Sequence, residues 1–189
     1  MKKGMKRLVS AVLAAMTAAT LAITAFAADY AEPPVFTSTP SQTVSVSTSE
    51  LKEAVSNASE GTVSVTANSV KTLSVSASVL KALDKAGSVL EVVSPKAVVT
   101  IDSETITKTR KLDLSMKIYS STKRAVVKMR SKKDFGCEVK ITLTNCKLSE
   151  EKLAKAHVYC DGADLGAVEL NEAGQPVITV TKGGTYEIK

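Results

Sequence analysis

Tryptophan is absent from the 189 residues, and Phe, Tyr and Trp together make up only 4%. A sugar-binding groove of the usual kind, which stacks rings on Trp or Tyr, is therefore disfavoured, and the interior must be filled by aliphatic side chains. Histidine occurs once, as His157. The three cysteines, Cys137, Cys146 and Cys160, cannot all pair within one chain, and this length is not that of a small disulfide-stapled scaffold. No C-x-x-C spacing occurs, so Cys137, Cys146, His157 and Cys160 lack the ligand pattern of a structural zinc site. No metal ligand set and no cofactor are expected.

What is present begins with an export signal. Residues 1–27 have a basic head (Lys2, Lys3, Lys6, Arg7), an apolar stretch from Leu8 to Ala25, and the small-x-small ending Ala25-Phe26-Ala27. That is the layout of a signal peptide cleaved before Ala28. No second apolar run follows, so no membrane association is expected after cleavage. The first cysteine is Cys137, far from the apolar run, and no Leu-Pro-x-Thr-Gly sorting signal occurs, so neither lipid nor sortase anchoring is expected. The chain carries 25 basic and 19 acidic residues, but residues 1–27 hold four of the basic and none of the acidic. What remains is 21 against 19. Near-neutral balance removes the case for a nucleic-acid partner that an isoelectric point of 9.2 suggests. A local basic cluster persists in Lys123, Arg124, Lys128, Arg130, Lys132 and Lys133. It alternates with Ala125, Val127 and Met129, as on the solvated face of an amphipathic strand, and otherwise suits an acidic polymer.

Residues 28–46 are a Pro/Ser/Thr-rich linker whose end reads as a strand. Ser47 and Glu50 form a capping box ahead of Leu51, Ala54, Val55 and Ala58, which predicts a helix ending at Gly61. TVSVTA and KTLSVSA alternate as half-buried strands. Ser76 or Ser78 caps a second helix carrying Val79, Leu80, Leu83 and Ala86, with Gly87 as its stop. SVLEVVS and AVVTID read as two strands around the turn Ser94-Pro95-Lys96. Residues 47–107 are thus expected to be a small α+β unit.

Residues 108–189 alternate almost throughout. In KLDLSMKIYS the residues Leu112, Leu114, Met116 and Ile118 fall on one side. RAVVKMRS, FGCEVKITLTN, AHVYC and AVELNEAGQPVITVTKGGTYEI continue the pattern, separated by turns at Asp161-Gly162, Asn171 to Gly174 and Gly183-Gly184. This predicts an antiparallel β-sandwich-like domain, for a chain that is mainly β (α+β) overall. The lysine and glycines of TVTKGGTYEIK do not feed a helix, so they are read as the turn of a closing hairpin with Tyr186 and Ile188 on its packed face, not as a phosphate cradle.

The stretch LSVSASVLKALDKAGSVLEVVSPKAVVTID (residues 73–102), together with Phe135-Gly136, Val158-Tyr159 and Gly183-Gly184-Thr185-Tyr186, resembles a β-rich module pair. Such pairs occur in secreted and surface-layer-associated proteins of Gram-positive bacteria, upstream of S-layer homology or dockerin repeats. The resemblance covers about residues 60–189 and implies an extracellular, secreted or cell-wall-associated module. No such repeat follows within the sequence, so the usual anchoring is expected to be missing.

Candidate chemistry is sparse. If FGCEVKITLTN pairs with AHVYC, Cys160 falls a few residues from Cys137, making Cys137–Cys160 the candidate disulfide. His157 with Cys146 or Cys160 is the one conceivable nucleophile–base pair. Asp161 and Asp164 lack the ligand density of a calcium loop. The expectation is a non-catalytic structural or adhesive module that contacts cell-wall polymer, glycan or another surface protein. The competing reading is a secreted hydrolase or thiol enzyme using His157 and a cysteine.

Overall fold

A computed structural model describes residues 44–46, 55 and 61–189. The helix expected from Ser47 to Gly61 lies outside the described residues except for Val55, which is helical and fully buried. Residues 1–27 and most of the linker also lie outside them.

Local capping decides helix α1, Ala77–Ala86. Ser76 sits in an extended conformation, and its hydroxyl accepts the Val79 N–H at 3.3 Å. At the far end Gly87 takes φ of 65° and donates its N–H to the Leu83 carbonyl, which satisfies an otherwise orphaned acceptor. Val79, Leu80, Ala82 and Leu83 form the buried face.

The strands assemble into two principal sheets and one small one. The six-stranded sheet has the order β12-β13-β9-β5-β4-β2. Its members are β2 (Thr62–Thr66), β4 (Val89–Val93), β5 (Val98–Asp102), β9 (Asp134–Thr142), β12 (Glu169–Leu170) and β13 (Pro176–Lys182). Strand β2 runs parallel to β4 with α1 in the crossover, and the other pairings are antiparallel. The five-stranded sheet has the order β11-β10-β14-β8-β7. It consists of β7 (Met116–Ser120), β8 (Ala125–Met129), β10 (His157–Cys160), β11 (Ala163–Ala167) and β14 (Thr185–Ile188). A short three-stranded sheet joins β1 (Val44–Val46), β3 (Leu73–Val75) and β6 (Leu112–Asp113). Helix α2 is a single turn, Glu150–Leu153.

Alternation fixes which faces meet. Phe135, Cys137, Val139 and Ile141 of β9 are buried, as are Ala125, Val127 and Met129 of β8 and Tyr186 and Ile188 of β14. All belong to one hydrophobic cluster with the buried face of α1, so the mainly-β, sandwich-like expectation holds. The line drawn between residues 47–107 and 108–189 runs through the six-stranded sheet, because β5 pairs with β9 from Val98↔Thr142 to Ile101↔Val139.

Three expectations are corrected. KLDLSMKIYS is not one strand: it divides into β6 and β7, which lie in different sheets. The Asp113 carboxylate accepts the Ser115 N–H at 3.0 Å, an Asx turn that breaks the extended run and buries Ser115, whose hydroxyl donates to the Leu73 carbonyl. Strands β9 and β10 do not pair, since β10 lies between β11 and β14 in the other sheet. Cys137, Cys146 and Cys160 are accordingly free thiols. Gly183 and Gly184 do not turn a hairpin either: they carry the chain from β13 in one sheet to β14 in the other. Neither glycine has a positive φ. A Cβ on Gly183 would lie 1.8 Å from the Ser131 carbonyl oxygen, so glycine is needed there for close backbone approach.

Candidate functional site

The residues singled out by sequence do not converge. On β10 the alternation places Val158 and Cys160 in the core and His157 and Tyr159 on the outer face. Cys160 and His157 therefore point to opposite sides of one sheet. The His157 ring instead meets Asp164, with Nδ1 2.9 Å from a carboxylate oxygen, and stacks near Tyr159 at 6.5 Å between ring centroids. The Gly166 backbone N–H, and then His157, hold the Asp164 carboxyl below its ordinary range. Cys146 accepts a long contact from the Ser120 hydroxyl at 3.9 Å. Cys137 is buried, and burial first, then the nearby Asp134 charge, pushes its thiol up to about 11. Tyr186 is buried with its hydroxyl on the Lys182 carbonyl at 2.7 Å. Among the described residues no three His, Cys, Asp or Glu side chains come together as a metal set. None of the helices described is long and apolar enough to cross a membrane.

A concavity lies elsewhere, beside β7, the edge strand of the five-stranded sheet. It is a groove of about 540 Å³ between the β2–β3 loop, the β4–β5 turn and β7. Each wall is pinned by backbone geometry. The Ser69 hydroxyl accepts the Lys71 N–H at 3.1 Å, and the Val70 carbonyl accepts the Met116 N–H at 2.8 Å, which ties the loop to β7. The turn at Pro95-Lys96 is closed by Ser94, whose hydroxyl donates to the Ala97 carbonyl at 2.7 Å and accepts the Ala97 N–H at 3.1 Å. On β7, Lys117 and Tyr119 share the outward face by the two-residue repeat. Tyr119 is 58% exposed, the most exposed large apolar side chain among the described residues.

Three lysines, Lys71, Lys96 and Lys117, thus line one groove from three separate elements, and no carboxylate among the described residues lines it. None of the three has an ion-pair partner among the described residues. The carboxylates paired among the described residues lie outside this lining: Glu187 holds Arg124 at 2.7 Å and Lys189 at 3.1 Å, Asp134 holds Arg110 at 3.0 Å, and Asp164 meets His157. Like charges grouped on a concave wall create a local positive potential that an anion relieves.

No family model, curated protein or solved structure matches this chain.

Sequence reading missed the groove because its lysines are isolated in sequence. The basic cluster visible in sequence is instead Lys123, Arg124, Lys128, Arg130, Lys132 and Lys133, which lie close together along the chain. Of these, Arg124 is engaged by Glu187, and Lys128 stands opposite Lys117 and Thr185 on the outer face of the five-stranded sheet. Only the pairing of distant strands brings the groove cations together. The one local signal was the alternation Met116, Lys117, Ile118, Tyr119, which puts a cation and a ring on one side of a strand.

Proposed function

We propose that this protein is a non-catalytic, secreted or cell-surface module that binds an anionic cell-wall polymer or glycan in the lysine groove beside Tyr119. The observation that carries this reading is the grouping of Lys71, Lys96 and Lys117 around an exposed aromatic ring, with no lining carboxylate among the described residues. The ammonium groups meet the charge of the polymer, and the ring offers the flat apolar face on which a sugar packs. The signal-like layout of residues 1–27 and the resemblance to modules of Gram-positive surface proteins support an extracellular setting. The near-neutral balance of the remaining residues favours a local site over general attraction to nucleic acid.

The test is sedimentation of the protein with purified cell walls and titration with polygalacturonate. The variant Lys71→Ala/Lys96→Ala/Lys117→Ala removes three exposed charges and should weaken binding at least tenfold, with unfolding unchanged. Tyr119→Ala should weaken it severalfold, and His157→Ala should leave it intact. Undiminished binding by the triple variant, or a hydrolytic activity abolished by His157→Ala, would overturn the reading.

A further inference from the structure

The groove is not isolated. A neighbouring cavity of about 310 Å³ shares Lys96, Ile118 and Tyr119 with it and adds Ser120, Asn145 and Lys147. Leu148, the next residue in the chain after Lys147, belongs to the lining of a third cavity, about 320 Å³, whose cations are Lys123, Lys152, Lys155 and Lys189. Glu151 is the only carboxylate lining the second and third cavities among the described residues.

The segment 144–155 forms the common wall, and hydrogen bonds to three other elements hold it. The Thr144 N–H donates to the Lys96 carbonyl at 3.2 Å and its hydroxyl to the Pro95 carbonyl at 3.3 Å, at the groove end. The Ser120 hydroxyl accepts the Lys147 N–H at 2.7 Å in the middle. Lys152 Nζ donates to the Thr122 carbonyl at 2.6 Å at the far end. Lys189 is partly engaged, with Nζ 3.1 Å from Glu187 and 4.6 Å from the Tyr159 ring centre. Lys123, Lys147 and Lys155 are exposed and have no ion-pair partner among the described residues.

We infer that the lysine groove continues past Ser120 into a second anion subsite at Lys123 and Lys155, so that the ligand is a linear polyanion occupying both rather than a short charged sugar. The inference rests on the groove reading and extends it. Every cation lining the track is a lysine, and lysine is a hydrated point charge without the planar fork of arginine. Such a row recognises charge repeated along a flexible chain better than the shape of one carboxylate or phosphate. Tyr119 is the one exposed aromatic along the track, whereas a single-stranded nucleic acid would call for successive stacking platforms. A polysaccharide or polyol polymer with an anionic group on each repeat is therefore favoured.

The full chain would be titrated with polygalacturonate fractions of increasing length, with inorganic polyphosphate, and with oligothymidylate of matched charge, at two or more salt concentrations. Affinity should climb with length until the polymer reaches the far cavity, then level off. Lys123→Ala/Lys155→Ala, which leaves the structural bond of Lys152 in place, should bind trigalacturonate as the parent does. It should lose about tenfold in affinity for long polymer, with a salt slope shallower by roughly one per lysine removed. Equal long-polymer binding by this variant and the parent would overturn the second subsite while leaving the groove standing. Failure of the parent to bind any fraction or polyphosphate, or full binding by Lys71→Ala/Lys96→Ala/Lys117→Ala, would overturn the groove reading itself. Tighter binding of oligothymidylate than of either polymer would overturn the assignment of ligand class.

Discussion

Replacing Gly183 by alanine separates two accounts of the Gly183-Gly184 pair. Had the glycines served a turn requiring left-handed backbone, both would be sensitive to a Cβ, but neither has positive φ. The structure makes Gly183 a contact point: its added Cβ would lie 1.8 Å from the Ser131 oxygen and 2.6 Å from the Ser131 carbonyl carbon. Since Cβ atoms essentially never come within 3.0 Å of such neighbours, the β8–β9 link must retreat by more than an ångström. That link is tied to the crossing by Gly183 N–H to the Lys133 carbonyl and by Met129 N–H to the Gly184 carbonyl, both at 2.9 Å. Overpacking costs about 1–3 kcal/mol, and loosening two hydrogen bonds about 1 kcal/mol each. A loss of about 3–5 kcal/mol follows, a large fraction of a domain's stability. In urea unfolding, with a slope near 2 kcal/mol per molar, the midpoint should drop by roughly 1.5–2.5 M. At Gly184 a Cβ would meet Cys160 Sγ at 3.1 Å and Asp161 Oδ2 at 3.3 Å, both side-chain atoms able to yield, so Gly184→Ala should cost about 1 kcal/mol or less. Equal midpoints for the two variants would refute the close-approach argument.

Thiol labelling at pH 8 should modify Cys146 in the folded chain and Cys137 only on unfolding, since burial and a thiol pushed up to about 11 leave on the order of one thiolate in a thousand at Cys137. Stability should also fall at high pH. The Cys137 thiol is raised above its ordinary value of 9.0 in the fold, so its contribution is intact below pH 9 and declines as pH rises towards 11, by about 1 kcal/mol at pH 10. Tyr186, raised by burial and by Cys160, adds to the decline above pH 10, and a urea midpoint at pH 10.5 no lower than at pH 8 would contradict both. Ser76→Ala should cost about 1 kcal/mol through loss of the α1 cap, with Ser76→Asp restoring most of it in the same unfolding assay.

The parts of the fold legible in sequence are those decided within a few residues. Ser76 and Gly87 bracket α1 because a cap and a left-handed stop act on adjacent N–H and carbonyl groups. The β4–β5 hairpin is legible through Ser94 and Pro95, and the β10–β11 turn through Asp161-Gly162, where both residues have positive φ. Partnership between strands is not local. The alternation in FGCEVKITLTN and AHVYC is the same whether they pair or face each other across a core, so Cys137 and Cys160 look like neighbours when they belong to different sheets. The alternation through Leu112, Leu114 and Met116 likewise hides the Asp113 turn that hands the chain from one sheet to another. The groove was illegible for the same reason, since Lys71, Lys96 and Lys117 become neighbours only after three elements have found their places.

The interleaving of early and late strands has a consequence for synthesis. Strands β2, β4 and β5 are made first, but β5 gains its second neighbour only with β9, and β9 gains its own only with β13 at Pro176–Lys182. A chain emerging from its amino end must hold an unfinished sheet edge open until those residues appear. Contacts so distant in sequence delay closure, so the sheet is completed only once β13 has been made rather than piece by piece.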